Sequence, residues 1–311
     1  MTTDRVATAD LLVRALDAGR FGDPDYLPWF YDTNPRGVAI DENVDEDVDG
    51  NTRRVAHYAV LPTRYRTPAG ETPFIFSSNV ATDPTVRRGG LFREMAAKVY
   101  TRAAATGAPG MVGVGNDQST VVVVDRFGWT SLGPMPVKVC APIARSRGME
   151  TFPCDASFLA SARFAELATD LDWVPVRDWV QAWDADFLRW RLSRPHARYL
   201  LHASAAGLAV STHQAGPAHV PFAVLLKLFP RPGTTLPLAG APFVAAACRA
   251  HRAPLCVYAG WNAHARVRGI PTPRRLQPSP LNVVFKSLDA ERAPGATFRL
   301  DTFEFLDMDA F

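Results

Sequence analysis

The sequence has 311 residues, of which 47% are hydrophobic and 21% are charged, and its formal net charge is +3. This length suits one large or two medium globular domains. The small net charge and the scattered basic residues exclude the extended cationic surface of a typical nucleic-acid-binding protein, so we expect no nucleic-acid partner. The N-terminus lacks the apolar core of a signal peptide, and no apolar run approaches the roughly 20 residues of a membrane span, which predicts a cytoplasmic protein without membrane association.

Cysteine and histidine spacing gives no sign of a metal site. The four cysteines show no Cys-x-x-Cys pair, and the seven histidines form no His-Glu-x-x-His pattern. In a cytosolic protein such cysteines are expected to be reduced and structural. We therefore expect no bound metal.

Periodicity and propensity give a mixed order of elements in the first half. In chain order we predict a helix at 9–20, a strand at 37–41, an exposed acidic loop at 42–50, strands at 54–61 and 73–80, a helix at 91–105, a strand at 111–115, a helix around 120–124 and a strand at 136–141. The four valines after Thr120 favour a strand. We nevertheless expect a helix there, because Asp117 or Ser119 can cap it and a buried face would offset the poor propensity.

The turn between the strand at 73–80 and the helix at 91–105 is the most informative segment. It contains Arg87, Arg88, Gly89 and Gly90. The first N–H groups of a helix lack intrahelical partners and carry partial positive charge, glycine lets the backbone approach a ligand, and arginine suits phosphate. The turn therefore predicts an anion-binding site. It has neither the P-loop spacing nor the Gly-x-Gly-x-x-Gly of a dinucleotide fold.

The pattern Arg87-x-x-Gly90-x-Phe92 resembles the pyrophosphate-binding turn of the GNAT superfamily of acyl-CoA N-acyltransferases, although Phe92 replaces the usual small residue. The strand that ends at Asn116, the helix after it and the pair Gly128-Trp129 are similar to the same family in order and spacing. The resemblance covers about residues 25–142. It implies acetyl-CoA or another acyl-CoA as co-substrate, threaded between two splayed parallel strands. The coenzyme would contact Val80, Thr82, Arg87, Arg88, Gly89, Gly90, Leu91, Phe92, Asn116 and Ser119.

The second half reads as a divergent copy of the first. We predict a helix at 155–170, strands at 197–203, 207–213 and 222–229, a helix at 242–251, and strands at 255–260, 281–286 and 299–305. Each half also has an aromatic turn with a proline five or six positions after a tryptophan, Trp29 or Trp190. We predict an α+β fold with mixed, mostly antiparallel sheets flanked by helices, in two similar halves at 1–145 and 153–311. An unrelated α+β second domain is the alternative.

The counterpart of the anion-binding turn in the second half, at 230–240, lacks the Arg-x-x-Gly spacing and contains prolines that remove N–H donors. We therefore expect no coenzyme site in that half. Candidate bases of the first half are His57 and Asp83. A packed core histidine and a turn-shaping aspartate are the competing interpretations. The tyrosine that often protonates the leaving thiolate in GNAT enzymes is replaced by Val123 or Val124.

The resemblance implies direct transfer of an acetyl or other acyl group from acyl-CoA to the primary amine of a small molecule. A degenerate GNAT module that binds acyl-CoA or a protein partner without turnover is one alternative. Aminoacyl transfer from aminoacyl-tRNA is another. It requires a basic groove between the halves, to which Arg189, Arg191, Arg194 and Arg198 could contribute. The oligomeric state stays open, with a homodimer among the expected assemblies.

Overall fold

The architecture is that of a computed structural model, which describes residues 3–16, 19–48, 50–86, 90–146, 148–215, 220–274, 277 and 281–308. Its α-helices are α1 (Thr3–Leu16), α2 (Leu91–Ala105), α3 (Asp117–Phe127), α4 (Ala156–Leu159), α5 (Ala162–Leu167), α6 (Ala185–Leu192) and α7 (Ala241–Ala250). Its strands are β1 (Ile40–Val48), β2 (Asn51–Thr67), β3 (Gly70–Thr82), β4 (Gly110–Gly115), β5 (Thr130–Pro134), β6 (Val137–Cys140), β7 (Glu150–Pro153), β8 (Val180–Gln181), β9 (Leu200–Ala203), β10 (Gly207–Ala215), β11 (Pro221–Pro230), β12 (Leu238–Ala239), β13 (Cys256–Asn262), β14 (Ala265–Arg266), β15 (Ile270–Pro271), β16 (Asn282–Ser287) and β17 (Thr302–Glu304).

Two large sheets of the same design dominate the fold. The first has the order β1-β2-β3-β4-β16-β5, and the second has the order β9-β10-β11-β13-β6-β15, with β7 beside β9. Neighbouring strands are antiparallel except for one central parallel pair in each sheet, β3 with β4 and β11 with β13. The predicted α+β class with mixed, mostly antiparallel sheets in two similar halves is confirmed.

The two halves exchange strands. β6 follows β5 in the chain but pairs with β13 of the second sheet. β16, from the last part of the chain, pairs with β4 and β5 of the first sheet, and the short β8 pairs with β2. The sequence does not reveal this exchange, because a hydrophobic strand pattern does not specify the strand's partner. The division at 1–145 and 153–311 stays a prediction, and these three strands pair across it.

The largest core cluster lies between the sheets and is shared by both. It contains Phe74 and Phe285 from the first sheet together with Leu201 and Val224 from the second. A second cluster joins the outer face of the first sheet to α2, and a third joins the outer face of the second sheet to α7. Each sheet therefore has a helix on one face and the common core on the other.

Two tryptophans mark the seam between the halves. Trp29 lies in a short π-helix (Pro28–Asp32), and Trp190 lies in α6. Each indole Nε1–H donates to the other residue's carbonyl oxygen, at 3.0 and 3.1 Å, and the rings stack with centroids 5.2 Å apart. The two aromatic turns that are similar in sequence therefore contact each other in the fold.

One prediction fails in a way that the structure explains. Residues 42–50 were expected to form an exposed acidic loop, but most of them belong to β1, which pairs with β2 as far as Val48 opposite Asn51. Acidic side chains of this strand pair with bases of neighbouring elements: Glu42 lies 2.8 Å from Arg102 of α2, and Asp45 lies 3.0 Å from Arg54 of β2. Negative charge on this strand is compensated by these bases, so it does not indicate a loop.

Other boundaries shift by smaller amounts. The first helix runs over 3–16 instead of 9–20, and the predicted helix at 155–170 divides into α4 and α5, capped by Asp155 and Ser161. The helix predicted at 91–105 coincides with α2. Among the helices of the described residues, none combines the length and apolar character needed to cross a bilayer.

Candidate functional site

A cleft opens where the two parallel strands of the first sheet diverge. β3 and β4 pair only as far as Ser77 opposite Gly113. Beyond this point, β3 continues to Thr82 on β2 and β4 continues to Gly115 on β16. A side chain at position 113 would place its Cβ 3.1 Å from that of Ser77, so glycine permits the close contact from which the strands separate. The resulting cleft has a volume of about 570 Å³.

The cleft walls are built mainly from β3, β4 and α3. The first turn of α2 adds Phe92, and single residues come from α1, β2, β16 and the segment after α3. Of the ten coenzyme contacts predicted from the sequence, five line this cleft: Val80, Thr82, Phe92, Asn116 and Ser119. Ser77, Ser78 and Asn79, which the sequence places on the strand expected to face the thioester, also line the cleft, whereas Gln118 and Val122 are wall residues that the sequence did not predict.

The other five predicted contacts belong to the turn before α2. Arg87, Arg88 and Gly89 lie outside the described residues. Gly90 is the N-cap of α2 with φ of 100°, a conformation that favours glycine. Leu91 is buried in the core beneath α2 and is absent from the cleft wall. The binding of a diphosphate at this turn therefore stays a prediction.

A β-bulge shapes β3 at the cleft. Tyr58 is opposite Val80 and Ala59 is opposite Ser78, so Asn79 is the extra residue between them. Asn79 has a left-handed φ of 47°, which is rare for a residue other than glycine. A bulge turns the backbone locally and re-aims its amides. The main chain at Asn79 is thus turned where the cleft begins.

A chain of buried hydrogen bonds holds the bulge in place. Asn79 Nδ2 donates to Tyr31 Oη at 2.8 Å, and Tyr31 Oη lies 2.9 Å from His57 Nε2. His57 Nδ1 lies 2.7 Å from Asn43 Oδ1, an atom that can only accept, so Nδ1 carries the proton. Nε2 is then the acceptor of the Tyr31 O–H. Each hydrogen bond between Asn79, Tyr31, His57 and Asn43 therefore has one donor and one acceptor that agree with its neighbours.

The two predicted bases have other roles in this geometry. His57 is fully buried and lies outside the cleft wall, and burial, aided by the charges of Arg54 and Arg5, lowers its pKa to about 3. Burial acts to raise the pKa of Asp83, but hydrogen bonds from Thr85 and the charges of Arg53 and Arg14 outweigh it and lower that pKa. Asp83 accepts from Thr85 N at 2.9 Å and thereby shapes the turn. Neither candidate base lines the cleft, so the competing interpretations fit the structure better.

The helix α3 confirms one expectation and corrects two details. The valine-rich segment is helical, as predicted. Its cap is Asn116, whose side chain accepts from Ser119 N at 2.8 Å, and not Asp117 or Ser119. No residue of α3 is fully buried, so the expected buried face is wrong. Of the two positions expected for the missing tyrosine, Val123 lines the cleft and Val124 does not.

Phe92 departs from the small residue of the family pattern because it has packing partners here. Its ring lies 4.5 Å from that of Phe127 in α3 and 5.7 Å from that of Tyr58, centroid to centroid. The aromatic side chain therefore joins the first turn of α2 to the end of α3 across one side of the cleft.

The corresponding cleft of the second half is filled by protein. β11 and β13 pair only over Ala223–Leu225 and Cys256–Tyr258 and then diverge. The segment formed by β17 and the 3-10 turn Phe305–Asp307 lies between them, because β17 pairs with β13 and both acids of the segment bind Lys227 of β11. The remaining cavity is about 20 Å³, room for one water molecule.

A buried ionic cluster fixes this segment. Lys227 Nζ lies 2.8 Å from the Asp307 carboxylate and 3.4 Å from that of Glu304. Tyr258 Oη and Asn262 Nδ2 each donate to Glu304 at 3.0 Å. Burial raises the pKa of Glu304 to about 7, although the charge of Lys227 opposes the shift. The absence of an anion-binding turn at 230–240 thus accompanies a cleft that has no room for a coenzyme.

Among the described residues, one cluster has the side chains to bind a metal ion. It consists of Asp23, Asp25 and His196, whose ligand atoms lie within 4.8 Å of one another. Asp25 and His196 are exposed. His196 Nε2 lies 3.5 Å from the Asp23 carboxylate. Such a pair is common without an ion, and no metal site is assigned.

Comparison with known proteins agrees with this geometry. The family model "Acetyltransferase (GNAT) domain" matches residues 44–132, the segment that builds the cleft. No curated protein sequence matches the chain. Among solved structures, a GCN5-related N-acetyltransferase from Anabaena variabilis superposes with a TM-score of 0.62 at 10% identity, covering 93% of this chain and 72% of its own.

Two further structures frame the likeness. A tandem GNAT protein from the clavulanic acid biosynthesis pathway has a TM-score of 0.51 at 13% identity, with 91% of this chain and 94% of its own covered. A GCN5-related N-acetyltransferase from Kribbella flavida has a TM-score of 0.50 at 14% identity, with 77% of this chain covered. This chain spans only 59% of the length of the latter protein. At these identities the likeness establishes the fold.

The fold and the cleft define an α+β protein of the GNAT-like fold with two related halves. Residues 44–132 match the GNAT acetyltransferase domain, and the two-sheet fold is similar to that of a tandem GNAT protein.

Proposed function

We propose that the protein is an acyl-CoA-dependent N-acyltransferase that moves an acetyl or other acyl group to the primary amine of a small molecule. The observation that carries the proposal is the open cleft between β3 and β4, bounded by the helix N-terminus at Gly90. On the side facing the cleft, residues 78–82 of β3 have no strand partner among the described residues. Their main-chain amides are available to pair with the amides of a pantetheine arm.

The chemistry follows from the bulge. The amine nitrogen attacks the thioester carbonyl, the C–N bond forms, the C–S bond breaks, and coenzyme A leaves as the thiolate. A main-chain N–H turned by the bulge at Asn79 would stabilise the oxyanion of the tetrahedral intermediate. The amine proton passes to water at the cleft mouth, because the lining holds Ser77 and Ser78 but neither a carboxylate nor an imidazole among the described residues. The thiolate is a good leaving group without an acid, since a free thiol has a pKa of roughly 8.5.

Coenzyme binding tests the proposal directly. Coenzyme A at millimolar concentration should raise the melting temperature, because a ligand that binds only the folded state stabilises it. Val80→Trp would place an indole in the cleft and should weaken coenzyme A binding by about tenfold or more, equivalent to about 1.4 kcal/mol. Val121→Trp is the matched control, because Val121 is 59% exposed on α3 and lies outside the cleft wall. Absence of any coenzyme-dependent shift in the wild type would sink the proposal.

A second candidate function has a specific observation in its favour. The described lining of the cleft contains one titratable side chain, Tyr58, which is buried, hydrogen-bonded to Ser77 Oγ at 2.9 Å, and has a pKa well above its usual value because of burial. A module that binds acyl-CoA without turnover would need no better acid or base. Release of free thiol from acetyl-CoA across an amine library separates the two: release with any amine supports the transferase, whereas silence with intact coenzyme binding supports the binding module.

A further inference from the structure

A second, larger cavity lies in a groove between the two halves. Its volume is about 850 Å³, and its walls combine the segment from Gly19 to Tyr26 of the first half with the segments 194–199 and 212–214 of the second. A neighbouring cavity of about 390 Å³ shares Arg198 and His213 with it and extends to His251 at the end of α7. Small-molecule sites have volumes of about 300–1,000 Å³, so the groove accommodates a ligand of that class.

The charge of the larger cavity is predominantly positive. Three arginines line it, Arg20 from the first half and Arg194 and Arg198 from the second, against one carboxylate, Asp23. Arg20 and Arg194 lie on the same aromatic ring, with guanidinium carbons 5.9 and 5.2 Å from the Tyr26 centroid. Two like charges from different halves therefore converge on one wall, an arrangement that an anion between the halves would stabilise.

Arg198 is the arginine most available to a ligand. Its side chain is exposed and makes no hydrogen bond or ion pair with any described residue, while Thr212 Oγ1 donates to its carbonyl oxygen at 3.0 Å and fixes its main chain. His213 Nδ1, which lies on both cavities, is buried without a hydrogen-bond partner in the described part of the chain. In the adjoining cavity, the Asp155 carboxylate is already engaged as the cap of α4.

The groove and the coenzyme cleft lie side by side along the chain. Leu16 lines the cleft and Gly19 lines the groove, and three residues span at most about 11 Å. A row of buried aromatic rings forms the wall between them: Tyr26 on the groove contacts Phe30, and Phe30 contacts Tyr31, with centroids 5.7 and 5.8 Å apart. Tyr31 in turn holds Asn79 at the edge of the cleft.

We infer that this groove binds the acyl acceptor, and that the acceptor is an amine that carries a phosphate or carboxylate group seated by Arg198 and Arg194. The inference rests on the proposed function and specifies its substrate class. Arginine holds such anions through two parallel hydrogen bonds, which gives both affinity and orientation. The acceptor amine would then reach the thioester from the α1 side of β3, opposite the helix α2.

The aminoacyl-tRNA alternative requires a basic groove between the halves, and this groove contains two of the four arginines expected to form it. Arg194 and Arg198 line the groove, whereas Arg189 and Arg191 do not. Arg189 pairs with Asp186, and Arg191 donates to the Met308 carbonyl oxygen at 2.7 Å. Three guanidinium groups around a pocket of this size favour a small anionic amine over a long polyanion, whose binding requires many phosphate contacts.

The test compares matched amines on the protein saturated with coenzyme A, so that the diphosphate turn is occupied. Isothermal titration is carried out with glucosamine 6-phosphate against glucosamine, O-phosphoethanolamine against ethanolamine, and β-alanine against propylamine. We expect the anionic member of at least one pair to bind about tenfold more tightly or better. Arg198→Ala should remove that difference, and Arg268→Ala, an exposed arginine outside both cavities, should preserve it.

Equal affinities within every pair, or a preference that survives Arg198→Ala, would overturn the inference. Binding of a tRNA-sized RNA that is tighter than that of every anionic amine would also overturn it, in favour of a polyanion site. The titration needs no turnover and is repeated without coenzyme A, so its outcome is separable from that of the proposed function: absence of the coenzyme-dependent melting shift contradicts the transferase, while the amine preference is still measured on the coenzyme-free protein.

Discussion

The two clefts of this protein are formed by the same arrangement of strands, but the first is open and the second is filled by protein. In both sheets the central parallel pair diverges after a few residues. Just beyond that point, a bulge in β3 interrupts its antiparallel pairing with β2, and a bulge in β11 interrupts its antiparallel pairing with β10. Register makes Val80 and Lys227 equivalent, since each is the first paired residue after its bulge, opposite Tyr58 and Val210 respectively. Val80 faces an open cleft of about 570 Å³, whereas Lys227 is buried under two carboxylates.

The difference shows that the splayed strands alone do not make a ligand site. In the second half, main-chain groups that a coenzyme could use are covered by β17 and the turn after it, and charge inside the cleft is neutralised by the protein's own side chains. In the first half, no described segment occupies the equivalent space. The segment that lies between the diverging strands therefore decides whether this strand arrangement forms a ligand-binding cleft or a packed part of the protein core.

The largest expected effect comes from removing the cation of the filled cleft. Lys227→Met leaves Glu304 and Asp307 buried without their partner, and breaking a buried ion pair in this way costs about 3–5 kcal/mol. We expect a loss of that size in the free energy of unfolding, measured by urea denaturation.

Lys286→Met is the matched control in the first sheet. Its ammonium donates to the Phe127 carbonyl oxygen at 2.9 Å at the end of α3 and has no carboxylate partner among the described residues. We expect a loss of about 1 kcal/mol. Equal losses for the two variants would contradict the claim that ion pairing holds the second cleft closed.

The next effect concerns the bulge of the open cleft. Tyr31→Phe removes the hydroxyl that joins Asn79 to His57 and leaves two buried polar atoms unpaired, at a cost of about 1–3 kcal/mol in stability. Because the bulge positions the main chain at the thioester, kcat for acyl transfer should fall by about tenfold to a hundredfold, with KM for acetyl-CoA within about twofold of the wild type.

Tyr100→Phe provides the comparison for that variant. The Tyr100 hydroxyl accepts from Trp129 Nε1 at 2.9 Å and interacts with the Tyr58 hydroxyl, but it is not part of the hydrogen-bond chain from Asn79 to His57. We expect a similar loss of stability and an unchanged kcat. If both variants had the same kcat, the hydrogen-bond chain would have no part in positioning Asn79.

The smallest effect is a pH dependence of stability. His57 has a folded pKa of about 3, below its unfolded value of roughly 6.5. The unfolded state therefore binds more protons between these values, so the His57 contribution is fully present above pH 6.5 and is lost as the pH falls toward 3. His57→Gln should reduce the slope of unfolding free energy against pH between 4.5 and 6.5, by up to about 1.4 kcal/mol per pH unit.

His196→Gln serves as the control, because that side chain is 80% exposed. We expect its slope to match the wild type. A wild-type slope in the His57 variant would show that this imidazole is accessible to protons in the folded state, and would restore it as a candidate base. Urea denaturation at four pH values is sufficient to distinguish these outcomes.

Local patterns were sufficient for much of the first half. The boundaries of α2 follow from Gly90 before it and from the alanine-rich run within it, and the cap at Asn116 sets the start of α3. Five of the ten predicted coenzyme contacts line one cleft, because residues at strand ends and helix starts of a β-α-β unit meet at the same edge of a sheet. The exchange of β6 and β16 had no comparable signal, since pairing partners far apart in sequence leave no trace in either strand's own pattern.

The sequence by itself determined that this is an α+β protein of two similar halves, and it predicted an anion-binding turn before the helix at 91–105. Only the tertiary structure decided that His57 supports a bulge through Tyr31, that Lys227 closes the second cleft, and that the halves trade strands around one core. The physical reason is the distance along the sequence over which each interaction acts. Helix caps, turns and strand periodicity depend on neighbours within a few residues, whereas burial, ion pairing and sheet order depend on which distant segments come into contact.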